Sequence, residues 1–220
     1  MSDRVFNYIS NWKKGWGMPI KRPKHLLIIG GGVFQVPAIK TAKSMGLKVA
    51  VTDYNPEAEG MLLADYPIEV STRNINLTVN TAKQFHSTCA LDGVMTVGTD
   101  ASQTVAAVAD ALGIPGIPFE VAERATDKIK MRQVLKEKGV PVPDFRPIWT
   151  LAECQEAVKV MPLPLVIKPC DNMGARGVRK IECHDDLIPA FREAKEASIS
   201  GKLILEEFME GPELSLDALV

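Results

Sequence analysis

Lys168 closes an apolar run, Pro164-Leu165-Val166-Ile167-Lys168-Pro169, and the loop Asp171-Asn172-Met173-Gly174-Ala175-Arg176-Gly177 follows almost directly. A lysine leaving the end of a strand presents a compact point charge suited to phosphate. Small residues just beyond it let backbone N–H groups fold over a polyphosphate. Further on, Leu205-Glu206-Glu207-Phe208-Met209-Glu210-Gly211-Pro212-Glu213 spaces acids along a strand and its exit. Carboxylates there suit an exocyclic amine and ribose hydroxyls, and backbone groups suit the edge of a flat ring. Upstream, Thr126-Asp127-Lys128 opens a helix with a lysine in its first turn. Each piece alone has a plainer reading: a glycine hairpin turn, a solvated glutamate-rich strand, a capped helix. No G-x-x-x-x-G-K-[ST] occurs, so the loop is not a Walker A loop.

A second cluster, Gly30-Gly31-Gly32, lies between an apolar run and a helical pattern. Glycines there allow close backbone approach to a ligand, and a helix N-terminus favours anions. Asp53 ends the next strand, where a dinucleotide fold places its ribose acid. The G-x-G-x-x-G pattern fails at its third glycine, where Gln35 stands. The turn therefore reads either as a dinucleotide cradle, as a site for a different, substrate-side ligand, or as a tight turn only.

The elements that must position these groups form two rhythms. From His25, HLLII, LKVAVTD, YPIEV and LDGVMTVGT are short apolar strands, separated by helical patterns over Val36–Met45, within 56–65, over Leu77–Phe85 and over Ala101–Leu112. Strands alternating with helices imply right-handed crossovers and an open parallel sheet. The rhythm stops at Gly113–Pro118, the expected domain boundary. A helical connector follows, its DKIKMRQVLKEKG stretch stopped by Gly139 before Pro141 and Pro143. Then FRPIW, a helix over Leu151–Val160, PLVIKPC, VRKIE, a helix within 185–198 and LILEEFM predict an antiparallel α+β lobe. The last residues, GPELSLDALV, alternate like one more strand.

Taken in order, Thr126-Asp127-Lys128 with KEKGVPVPDF, then PLVIKP, NMGARGV and LILEEFMEGPE, resemble the ATP-grasp superfamily, including biotin carboxylase, carbamoyl-phosphate synthetase large subunits and purine-pathway ligases. The resemblance covers all but the N-terminal arm. It implies a Rossmann-like pre-ATP-grasp domain over 25–115, a helical connector over 116–143 and an incomplete nucleotide-clamping lobe over 144–220, behind an arm of residues 1–24. By position, it implies that Lys128 and Lys168 contact the nucleotide phosphates and that Gly174, Ala175, Arg176 and Gly177 form a lid loop. Glu206 would accept from the adenine amino group, Glu207 and Met209 would offer backbone contacts to the ring, and Glu213 would hold the ribose. The implied chemistry is ATP-dependent ligation of a carboxylate to an amine, or to a related nucleophile such as a thiol, through an acyl phosphate, with Mg2+ bridging phosphate oxygens. Family metal ligands normally follow the Glu213 region, so the chain is expected to be an N-terminal portion with its metal and catalytic residues unassigned.

Composition fits that picture. With 220 residues, 46% of them hydrophobic, and 26 Lys+Arg against 27 Asp+Glu, the chain is too apolar and too balanced for disorder. The balance lacks the basic surplus of a general nucleic-acid binder, and no apolar run would span a bilayer. Cys89, Cys154, Cys170 and Cys183 form no C-x-x-C pair and suggest free thiols in a reducing cytoplasm. The arm carries Val5, Tyr8, Ile9, Trp12 and Trp16 at helical spacing, without a secretory signal. Small-molecule carboxylate and nucleophile substrates are expected, with a homodimer frequent among such relatives. Two other functions stay open: a dinucleotide-dependent oxidoreductase using Gly30–Gly32 and Asp53, and a non-catalytic nucleotide-binding module.

Overall fold

The computed structural model describes residues 22–172, 174–214 and 216. The amphipathic helix expected in the arm lies outside them, as does half of the expected last strand. Residues 211–214 and 216, which are described, are not strand. Gly211 and Pro212 interrupt the alternation there: glycine has no side chain to pack, and proline has no N–H for a ladder.

The chain divides into two compact units, one running up to Gly98 with Ala111–Pro115, the other built from Thr99–Asp110 and everything from Gly116. In the first, β1 (His25–Ile29), β2 (Lys48–Asp53), β3 (Tyr66–Glu69) and β4 (Leu91–Met95) form a parallel sheet in the order β3-β2-β1-β4. The crossovers are α1 (Val36–Ser44), α2 (Glu59–Leu63) and α3 (Ile75–Thr88). Leu27, Ile28 and Ile29 are fully buried in succession, so β1 is covered on both faces. One face packs Ile28, Val49 and Val51 on Ile39 and Ala42 of α1 and Met61 of α2. Asn74 caps α3 by accepting from Leu77 N–H at 3.1 Å.

Helix α4 (Ser102–Leu112) follows β4, and most of it groups with the second unit. Two bonds tie it to α5 (Phe119–Thr126): Gln103 Nε2 donates to Thr126 Oγ1 at 2.7 Å, and Phe119 N–H donates to Asp110 Oδ2 at 2.9 Å. After α6 (Lys128–Glu137) come β5 (Phe145–Ile148), α7 (Leu151–Val160), β6 (Leu165–Pro169), β7 (Arg179–Ile181), α8 (Leu187–Ala197) and β8 (Leu203–Glu207). The sheet is antiparallel in the order β5-β8-β6-β7, as expected for the α+β lobe.

Strand alternation splits this sheet into two chemically different faces. Leu165, Ile167, Ile181, Leu203 and Leu205 pack with Cys154, Ala157 and Val158 of α7 and Ala190, Phe191 and Ala194 of α8. The opposite face carries Phe145, Ile204, Val166, Lys168, Lys180 and Glu206, and is only partly covered: Ile129 of α6 packs with Phe145, Cys170 and Ile204. Helix α6 is fixed there at its start, because Asp127 accepts from Ile129 N–H (2.9 Å) and Lys130 N–H (3.1 Å) while Lys128 N–H donates to Cys170 O (3.3 Å). Among the described residues, no helix is long and apolar enough to cross a membrane.

Candidate nucleotide site

Register places the first pair of charges. Glu206 stands opposite Phe145 on one side and Val166 on the other, and Lys168 stands opposite Ile204, one row further along the same face. Cross-strand diagonals of this kind lie within reach of a long side chain. Lys168 Nζ is ion-paired with Glu206 Oε2. A third residue joins them: Arg132 Nε donates to Glu206 Oε1 at 2.7 Å, and its Nη2 reaches Oε2 at 3.5 Å. Glu206 is 3% exposed, so burial disfavours its charge. The hydrogen bonds from Arg132 and Lys168 overcome that and hold the carboxyl below the ordinary glutamate range.

Helix α6 supplies two cations, Lys128 and Arg132, from one face. Lys128 and Arg132 are four residues apart, hence neighbours on a helix surface. Lys128 Nζ donates to Asn172 O at 2.6 Å. Burial first, and the field of Lys168 second, depress the Lys128 ammonium below the usual lysine value, against the pull of Asp171 and Glu206. Two cations, Lys168 and Arg132, thus pair with one buried carboxylate, and Lys128 lies close enough to feel both Lys168 and Glu206. Asp171, close enough to act on Lys128, is held low against burial by Ser200, Ser198 and Ile199, from whose N–H and hydroxyl groups it accepts. Such a surplus of positive charge on a partly covered surface suits an anion.

The loop expected to act as a lid leaves β6 beside this cluster. Gly174, Ala175 and Gly177 all have positive φ (70°, 58° and 72°), and Gly174, Ala175 and Arg176 are exposed. Its far end is pinned: a Cβ on Gly177 would come within 2.5 Å of Ala197 Cβ and 3.1 Å of Pro169 Cγ. The loop therefore has a fixed root and an open tip. Arg176 Nη2 lies 3.7 Å from Asp100 Oδ2.

At the other end of β8, Glu207 N–H donates to Asp144 O at 2.9 Å, which leaves that residue a carbonyl rather than a donor to offer a ring. Met209 and Glu213 are exposed beyond the strand. Phe208 lies under Lys180, whose Nζ is 4.2 Å from the ring centroid and 2.7 Å from Glu182. A cavity of about 580 Å³ borders Lys128, Asp127, Met131, Cys170 and Asp171, and so meets the ion cluster at Lys128, while Lys168 and Glu206 do not line it. Among the described residues, no group of three or more His, Cys, Asp or Glu side chains is placed to hold a metal ion.

Arg132 was missed by sequence reasoning, although its spacing from Lys128 in DKIKMR carried the signal. Lys180 was missed as well, and only the register Val166–Lys180 puts it on this face.

The glycine turn of the first unit has a different chemistry. Gly31 O accepts from Gly60 N–H at 2.6 Å, and a Cβ on Gly60 would come within 2.7 Å of that oxygen. Asp53 accepts from Gly31 N–H through Oδ2 (2.8 Å) and from Asn55 N–H through Oδ1 (2.9 Å). The turn's backbone is packed on the start of α2, and both oxygens of the expected ribose acid are engaged by the chain itself.

Comparison with known proteins shows what the two parts of the chain resemble. Residues 125–220 match the ATP-grasp domain family, and residues 16–103 match the family described as alanine dehydrogenase/PNT, C-terminal domain. The resemblance drawn from the motif order thus agrees with the family match over residues 125–220. The D-alanine–D-alanine ligase of Marinobacter nauticus is 30% identical over 113 residues, 49% of this chain and 34% of that one. The L-amino acid ligase of Bacillus licheniformis superposes with a TM-score of 0.68 at 26% identity, over 88% of this chain and 46% of the other. Phosphoribosylglycinamide synthetase from Anaerococcus prevotii superposes with a TM-score of 0.59, also at 26% identity, over 86% and 47%. The chain spans less than half the length of each of these relatives.

Proposed function

We propose that the second unit binds ATP with Mg2+, and that the protein is the N-terminal portion of an ATP-dependent ligase joining a small-molecule carboxylate to an amine or related nucleophile. The observation that carries this reading is the convergence of Lys168 and Arg132 on the buried carboxylate of Glu206, with Lys128 close enough to feel both Lys168 and Glu206. That donor set fits a polyphosphate. The ligases among its relatives, and the share of their length that it spans, support the wider reading.

In this reading Lys128 and Lys168 orient the phosphates, while the exposed tip at Gly174–Arg176 closes over them and excludes water. The carbonyl of Glu207, the backbone of Met209 and the carboxylate of Glu213 face the base and the ribose. When bound, MgATP supplies the phosphoryl group that activates a carboxylate as an acyl phosphate. The residues of this chain hold and neutralise, and none of them is assigned to proton transfer.

Titration calorimetry with MgATP, repeated on Lys168→Ala, tests the binding. Loss of about tenfold or more in affinity is expected on removing a charge-assisted phosphate contact. Equal affinity in both proteins would refute the assignment. Hydroxamate formation with hydroxylamine, ATP and a carboxylate tests the acyl phosphate in the complete protein.

A second reading, dinucleotide binding by the first unit, is favoured by the match of residues 16–103. The engagement of Asp53 and the packing of Gly31 on Gly60 weigh against it. Binding of NAD(H) or NADP(H), with ATP inert, would reverse that order.

A further inference from the structure

The buried carboxylate poses a problem that the phosphate reading alone does not solve. Lys168 is held by Glu206, yet it must turn toward an anion to serve it. If it left, a carboxylate with a side chain only 4% exposed would lose a partner, and an unpaired buried charge is strongly unfavourable. Arg132 removes the conflict by geometry. It reaches Glu206 from α6 and takes Oε1 through Nε, while Lys168 takes Oε2. Its Nη2 already lies 3.5 Å from that second oxygen. A planar guanidinium can grip both oxygens of one carboxylate, which a lysine cannot. Ile129, one turn earlier, is buried against Ile204 and Phe145 and anchors the helix at this height.

We propose that Arg132 is the permanent counter-ion of Glu206, a positioning residue that lets Lys168 exchange the buried carboxylate for a phosphate. This inference rests on the polyphosphate reading of the site. Arg132 itself touches no ligand in it. It acts by keeping Glu206 neutralised when Lys168 turns away, and without it Glu206 holds Lys168 fast.

The test uses inorganic tripolyphosphate, which has no base or ribose and so isolates the phosphate lysines, alongside MgATP. In the wild-type protein both are expected to bind. Arg132→Met is expected to weaken tripolyphosphate binding by about tenfold or more, the scale of a close charge coupling. Adding Glu206→Gln to that variant removes the competing charge, so the double variant is expected to recover to within about threefold of wild type. A merely structural role for Arg132 predicts the opposite, since a second lesion in the same cluster would not restore binding. Unchanged binding in R132M, or a double variant no better than R132M, overturns the proposal. Wild-type protein that binds neither probe overturns the polyphosphate reading, and this inference with it. Should R132M fail to fold by circular dichroism, Arg132→Lys keeps the charge without the fork and is expected to show a smaller loss with the same rescue by Glu206→Gln. Lack of rescue in that pair refutes the idea equally.

Discussion

Lys128 Nζ and Asn172 O are 2.6 Å apart, so the first turn of α6 is tied to the segment leading into Gly174–Gly177. One side chain thereby links the helix that carries Arg132 with the Gly174–Gly177 loop. Removing it is expected to act twice. Lys128→Met should weaken MgATP by about ten- to a hundredfold, the loss of a charged hydrogen bond. It should also speed proteolysis and amide exchange at 174–178, read by limited digestion and mass spectrometry. Loop protection equal to wild type would separate the lysine from the loop.

The depressed ammonium of Lys128 has its own signature. Its folded pKa lies below the ordinary lysine value, so folding disfavours the charge, and stability from this group rises as pH climbs through the folded pKa toward the unfolded one. A bound polyanion pulls that pKa back up. MgATP binding at about pH 9.5, close to the ordinary lysine range, is therefore expected to take up a fraction of a proton. Calorimetry in two buffers of different ionisation enthalpy reads the number directly, and K128M should abolish it.

Glu206 gives the opposite sign. Its folded carboxyl lies below its unfolded value, so its contribution is fully present above the ordinary glutamate range and is lost as pH falls through the folded pKa. Glu206→Gln is expected to cost about 1–3 kcal/mol at neutral pH by urea unfolding, because it leaves Lys168 and Arg132 facing one another across a mostly buried space. Wild-type and variant stabilities should converge in acid. Parallel curves across that range would show that the charge of Glu206 contributes nothing.

Thiol chemistry should follow burial. Burial pushes the Cys170 thiol up to about 12 and the Cys154 thiol up to about 11. At pH 8 the native protein is expected to release colour from a disulfide reagent first at exposed Cys183, more slowly at half-buried Cys89, and at the other two only on unfolding. A fast third equivalent would show that β6 or α7 opens locally.

The glycine turn can be probed without a ligand. Gly60→Ala drives a methyl toward Gly31 O (2.7 Å) and Ile39 Cδ1 (2.8 Å). Loss of about 1–3 kcal/mol is expected from overpacking, measured by urea unfolding followed in the first unit. No loss would mean that the backbone contact yields easily and that the turn could open to a ligand.

The strands of both sheets were legible because their apolar runs are short and bounded by glycine or proline, as at Ile29–Gly30 and Pro164–Leu165. The ion cluster was legible only by halves. Lys128, Lys168 and Glu206 stand out in sequence by type and order, but the partner of Glu206 depends on the phase of α6 over a sheet face, which no local pattern states. Asp53 shows the reverse failure. Its distance from the glycines suits a ribose acid, yet the same distance lets it close the turn by accepting from Gly31 and Asn55. The alternation in GPELSLDALV was read as a strand, but residues 211–214 and 216 are not strand.

The four-residue interval between Lys128 and Arg132 sets a constraint of another kind. Each residue inserted between them would turn the guanidinium about 100° around the helix axis and carry it off the sheet. Side chains in this site can be exchanged for one another and their charges rebalanced, as the double variant is designed to do. The count of residues between them cannot be rebalanced that way. Chain length in the first two turns of α6 should therefore be more sensitive to alteration than the identity of any one residue within it.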